Sequence, residues 1–162
     1  MSIELRTVTT KSQLKEYIFL PKKLYVAYPN WVPPIYIDEW AFHNPEKNRA
    51  LSTAEVIRVI AYQNNIPVGR VMGSLNKKYN EQHGLKNVSF FNLDCKDDSH
   101  IAHALIRFIE QWGKDKGMTK IIGPFGFSDK DPQCLQIEGF EYLPVIVAPT
   151  NPSYLQPLVE AE

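Results

Sequence analysis

Glu55-Val-Ile-Arg-Val-Ile-Ala-Tyr-Gln-Asn-Asn-Ile-Pro-Val-Gly-Arg-Val-Met-Gly-Ser-Leu75 contains two β-rich runs on either side of an Asn64-Asn65 pair. Val and Ile crowd both runs, and branched side chains pack well on a pleated surface. Asn tolerates the left-handed backbone that a tight hairpin turn demands. Strands joined this closely pair antiparallel, so 55–62 and 68–75 form a hairpin, with Gly69 marking a bulge.

On the carboxyl side, Asn76–Lys86 is polar and reads as a loop, and Val88–Leu93 as a third strand. Ile101, Leu105, Phe108, Ile109 and Trp112 fall at i, i+4, i+7, i+8 and i+11, one face of a helix. Asp98 or Ser99 caps its start, and Gly117 ends it. Lys120–Ile122 is a short strand closed by Gly123-Pro124. A short helix over Asp131–Ile137 and a strand over Val145–Ala148 follow. Asn151 then caps a last helix, Pro152–Val159, which Pro157 keeps short or kinked.

On the amino side, residues 3–8 alternate as a half-buried strand does. Thr10 and Gln13 form a capping box for a helix carrying Leu14, Tyr17, Ile18, Leu24 and Tyr25, and Pro21 is expected to break it. Between Pro29 and Pro45 four prolines forbid one continuous helix, leaving a helical turn around Ile35–Trp40. Trp31, Tyr36, Trp40 and Phe42 in this segment are expected to pack mostly on the sheet, with one or two lining a cleft. The predicted class is α/β (α+β): one domain, 1–162, with a mixed, mostly antiparallel sheet flanked by helices.

Lys+Arg and Asp+Glu are equal at 18 each, with no basic stripe, which argues against a nucleic-acid partner. The chain shows no leader-like amino terminus and no apolar run of membrane-spanning length. Two distant cysteines, Cys95 and Cys134, suit a reducing cytoplasm. His100 and His103, one helical turn apart, have no third ligand of matching type, so no metal site is expected.

Several stretches resemble the GNAT superfamily of acyltransferases, in particular a bacterial branch grouped as N-acetyltransferase-like. They are Tyr28-Pro-Asn-Trp-Val-Pro-Pro34, Pro67-Val-Gly-Arg-Val71, Phe90-Phe91, Gly123-Pro-Phe-Gly-Phe-Ser128, Ile137-Glu-Gly-Phe140 and Asn151-Pro-Ser-Tyr154. The resemblance spans nearly the whole chain. It implies acetyl-CoA as co-substrate and a small-molecule or peptide amine as acceptor. It implies two parallel strands that splay apart, the donor adding to the backbone at Phe91, Asn92 and Leu93. The pyrophosphate would meet the next helix at Ser99 and His100, where unpaired N–H groups favour anions. Asn151 would border the donor. Tyr154 would protonate the departing sulfur, and Glu138 would serve as base.

In that family the turn before the helix is glycine-rich. Here Asp94-Cys-Lys-Asp-Asp-Ser-His100 has three Asp and no glycine. Carboxylates there improve capping and repel phosphate. The alternative is therefore a catalytically inactive binding or protein-interaction module on the same fold. The branch also ends its sheet with a strand that the present sequence does not reach, so the last strand is expected to be missing. A homodimer pairing two sheets would supply it.

Overall fold

The hairpin forms as its sequence dictates. In the computed structural model, which describes residues 2–128, 130–131, 133–145 and 148–162, β2 (Glu55–Gln63) and β3 (Ile66–Leu75) pair antiparallel around Asn64 and Asn65, both at positive φ. The register slips between Ala61 and Tyr62, opposite Gly69 and Pro67, so the bulge expected at Gly69 falls on Val68 beside it. β1 (Glu4–Thr7) pairs with β2, and β4 (Asn87–Cys95) with β3, both antiparallel. β5 (Lys120–Ile122) lies parallel to β4, giving a five-stranded sheet in the order β1-β2-β3-β4-β5. This is the mixed, mostly antiparallel sheet expected.

Each face carries its own core. Val59, Ala61, Val68, Val71, Val88, Phe90, Leu93 and Cys95 meet α4 (Ser99–Asp115) through Ile101, Leu105, Ile106 and Ile109. Ile60, Tyr62, Met72 and Phe91 meet α1 (Lys11–Leu24) through Tyr17, Ile18 and Leu20, with Trp40 and Phe42 of α2 (Tyr36–Phe42) packed against them. Alternation along β4 changes phase at Asn92. Val88 and Phe90 face α4 before it, Leu93 and Cys95 after it. Asn92 has φ 51°, and the register slips here, Met72 facing Phe91 while Arg70 faces Asp94. One extra residue in β4 thus forms a bulge, which bends the strand.

Four expectations need correction. Pro21 does not break α1; the helix runs through it to Leu24. Asn76–Lys86 is not a loop throughout: α3 (Lys77–His83) forms there, with Asn76 accepting from the Tyr79 N–H and Gly84 stopping it at φ 64°. It lacks an apolar stripe, so only its caps announced it. The described residues of 131–137 form no helix. The Asp131 carboxylate instead accepts from the Phe127 and Ser128 N–H groups, folding the segment as a loop. Lastly, Asn151 does not cap α5 (Leu155–Glu160); Tyr154 occupies the cap position. The middle of the strand expected over 145–148 lies outside the described residues, and the flanking Val145 and Ala148 are not in a strand.

A methyl group added at Gly69 would stand 2.9 Å from side-chain atoms of Cys95, Ile101 and Leu105. Overpacking of this kind costs about 1–3 kcal/mol. Gly69→Ala should lower the unfolding free energy by that much, moving the urea midpoint down without altering the slope of the transition.

Candidate functional site

β4 and β5 pair only over Asn87–Ser89 and Lys120–Ile122. One more clasp, from the Phe125 N–H to the Phe90 carbonyl at 2.8 Å, closes the seam. β4 runs on to Cys95 while the chain beyond Phe125 turns away. The bulged stretch Phe91–Asp94 therefore presents its backbone edge to a cavity of about 460 Å³. Trp31–Ile35 and Glu39 form one wall; Cys134, Leu135, Asn151 and Leu155 contribute to the other. Asn30 Nδ2 bonds to the Phe140 carbonyl at 2.9 Å, tying the Pro-rich segment to the insert after β5. A free strand edge offers a row of N–H and C=O groups to an extended ligand.

The polar floor of the cavity is built around Arg70, 4% exposed. Its Nε meets Asp94 Oδ2 at 2.7 Å and its Nη1 meets the Tyr17 carbonyl at 2.8 Å, while the guanidinium lies over the Tyr17 ring. That carbonyl is open to Arg70 because Pro21, four residues on, has no N–H to give it. Burial opposes the Arg70 charge, and Asp94, Tyr17 and Glu39 together more than offset it, so its pKa is raised. The Tyr36 hydroxyl, Glu39 Oε2 and His43 Nε2 are buried with no hydrogen-bond partner among the described residues, while the buried hydroxyls of Tyr17 and Tyr25 face the side chains of Asn92 and Asp94. Arg58 Nε donates to His43 Nδ1 at 3.0 Å, which leaves the ring hydrogen on Nε2. Burial drives the His43 pKa down to about 3, and burial raises that of Glu39.

The structure gathers four of the eight site residues expected from sequence. Phe91, Asn92, Leu93 and Asn151 line the cavity. Asn151 does so while its amide accepts from the Gln136 N–H at 2.7 Å and donates to the Gln136 carbonyl at 3.2 Å. Ser99 and His100 open α4 outside the cavity lining, and the Asp98 carboxylate takes the His100 N–H at 2.9 Å. The Tyr154 hydroxyl donates to the Cys95 carbonyl at 2.7 Å, and its ring does not line the cavity. Burial raises its pKa. Glu138 is exposed and away from the cavity. Sequence reading missed Glu39 and Arg70. Arg70 could have been suspected as the charge in an otherwise apolar strand. Among the described residues no cluster of three or more His, Cys, Asp or Glu could hold a metal ion, and no helix is long and apolar enough to cross a membrane.

Comparison with known proteins agrees with this geometry. No protein-family model matches the chain. Bacterial ceramide synthase from Caulobacter vibrioides is 28% identical over 156 residues, 96% of this chain and 41% of that protein. Protein YghO from Escherichia coli is 32% identical over 144 residues, 89% of this chain and 37% of that protein. The chain thus spans about two fifths of the length of these curated relatives. Among solved structures, a tandem GNAT protein from the clavulanic acid biosynthesis pathway matches with a TM-score of 0.56 at 12% identity, over 74% of this chain and 35% of that one. A predicted acetyltransferase from Clostridium acetobutylicum, solved with acetyl-CoA, matches with 0.52 at 15% identity, over 75% and 79%. These likenesses show the GNAT fold, and the chain has that fold, with the parting parallel strands that the resemblance implied.

Removing Arg70 alone would leave Asp94 buried without its partner, a loss of about 3–5 kcal/mol. Arg70→Leu should show it in chemical denaturation, whereas Arg70→Leu with Asp94→Leu should recover most of the loss. Equal losses in both variants would mean that the pair is not what the floor depends on.

Proposed function

We propose that this chain binds an acyl-CoA and transfers its acyl group to an amine, forming an amide. The observation that carries this reading is the opening between β4 and β5, with the bulged edge Phe91–Asp94 facing the cavity. Pantetheine adds to that edge through backbone bonds, and an N–H of the bulge polarises the thioester carbonyl. The amine attacks the carbonyl carbon, and CoA leaves as thiolate. Asn151 and Leu155 shape the far side. Tyr154 holds the end of β4 through Cys95 and must release that bond before it can protonate a sulfur. The exposed Glu138 has no part in the chemistry.

The names of the relatives refine the reading. A ceramide is a fatty acyl amide of a long-chain amino alcohol, so similarity to a bacterial ceramide synthase favours a donor longer than acetyl-CoA and an acceptor that is a lipid-like amine. The cavity rim agrees: Ile35 is 62% exposed and Val145 72%.

One observation favours a second reading, a binding module without catalysis. Asp98 already supplies the anion that the amino end of α4 attracts. A pyrophosphate must displace or adjoin it, and two unit charges about 4 Å apart repel by roughly 1 kcal/mol in water.

Thiol release from acetyl-CoA and palmitoyl-CoA, with sphinganine as acceptor, separates the two. Amine-dependent release, faster with palmitoyl-CoA, is expected. No release with either donor, and no heat of CoA binding, would leave only the binding module. Asp98→Asn keeps a good helix cap and removes the charge. It should tighten CoA binding about 5-fold, the equivalent of 1 kcal/mol.

A further inference from the structure

Glu39 reaches the cavity from α2, opposite the bulged edge of β4. Its Oε2 is shielded from solvent and meets no donor among the described residues. Arg70 acts on it through charge alone, since its Nε goes to Asp94 and its Nη1 to the Tyr17 carbonyl. The Tyr36 hydroxyl is also buried with no partner among the described residues. An unpaired carboxylate in such surroundings is costly to keep, and a cation with hydrogens to donate is what it attracts. Outside it, Val32, Pro34, Ile35 and Val145 make the cavity mouth apolar.

We propose that Glu39 receives the ammonium group of the acceptor and takes its proton before attack, and that the acceptor is a primary amine with an apolar tail lying along that mouth. The proposal rests on the N-acyl transfer reading above. Glu39 accepts one proton from the ammonium, freeing the nitrogen lone pair. The N–C bond forms as the C–S bond breaks. The second nitrogen proton passes to the thiolate, giving the amide and CoA thiol, and Glu39 returns its proton to solvent.

The charges facing Glu39 are Asp38 from its own helix, Arg70 from β3 and Asp94 from β4, with Tyr17 of α1, Tyr25 just after it, Tyr36 and His43 close to the same ion pair. Burial raises the Glu39 pKa, and Arg70 limits the rise. A base with a raised pKa loses activity as pH falls through that value, so the rate should decline on the acid side.

The test measures kcat/KM against pH for the full chain and for Glu39→Gln, with palmitoyl-CoA and either dodecylamine or butylamine, alongside thermal unfolding. Glu39→Gln should lower kcat/KM about 100-fold or more and lose the acid limb. Its unfolding temperature should hold or rise, because an amide is easier to bury than an unpaired carboxylate. Dodecylamine should show a lower KM than butylamine. Wild-type rates in Glu39→Gln, an unchanged acid limb, or stability falling together with activity would each overturn the role of Glu39. Equal KM values would overturn the apolar tail. Wild-type protein that releases no CoA with either amine would remove the transfer reading itself, and this proposal with it.

Discussion

The guanidinium of Arg70 joins three elements that the backbone alone leaves separate. It stands on the second-to-last antiparallel strand, bonds across to Asp94 on β4 and reaches up to the Tyr17 carbonyl of α1. Burying a charge is tolerable only when it is paired and hydrogen-bonded, and here both conditions are met. Pro21 makes the second bond available by withholding its own N–H from Tyr17. The same proline lies in the cavity wall, so one residue serves the helix, the ion pair and the site. Arg70 thus ties α1 to the sheet on one side and to the far end of the β4 bulge on the other.

That bulge settles what the cavity can do. A regular strand past Phe90 would keep alternating and turn Leu93 away from α4. The extra residue restores Leu93 and Cys95 to the α4 core and leaves Asp94 facing Arg70. Strand continuity is given up on the side facing β5, where, among the described residues, the backbone edge beyond Phe90 has no strand partner beside the cavity. The amino end of α4 tells the opposite story. Asp98 satisfies the His100 N–H internally, which steadies the helix and makes that end less welcoming to phosphate. The cavity thus has a bulged strand along it, while the amino end of α4, outside its lining, already holds a carboxylate.

Much of the fold was legible because its signals are local. The hairpin at Asn64-Asn65, the capping box at Thr10 and Gln13, and the stripe from Ile101 to Trp112 each need only neighbouring residues to be understood. What sequence could not show depends on contacts between distant segments. Pro21 stays helical because α1 packs on the sheet and Tyr17 has another donor. Asn151 prefers Gln136 to the helix that follows it. Glu39 looks like any acidic residue in a first helical turn until tertiary packing shields it. The splay of β4 from β5 came from the family resemblance, since no residue pattern announces where two parallel strands part.

The side chain of Asn151 treats Gln136 as a neighbouring strand would, accepting from its N–H and donating to its carbonyl. The long excursion after β5 is thereby pinned near its middle to the stretch that leads into α5. Leu135, next to Gln136, and Asn151 itself both line the cavity, so two distant stretches of wall hang on one amide. Shortening that single side chain would loosen the wall at both places together.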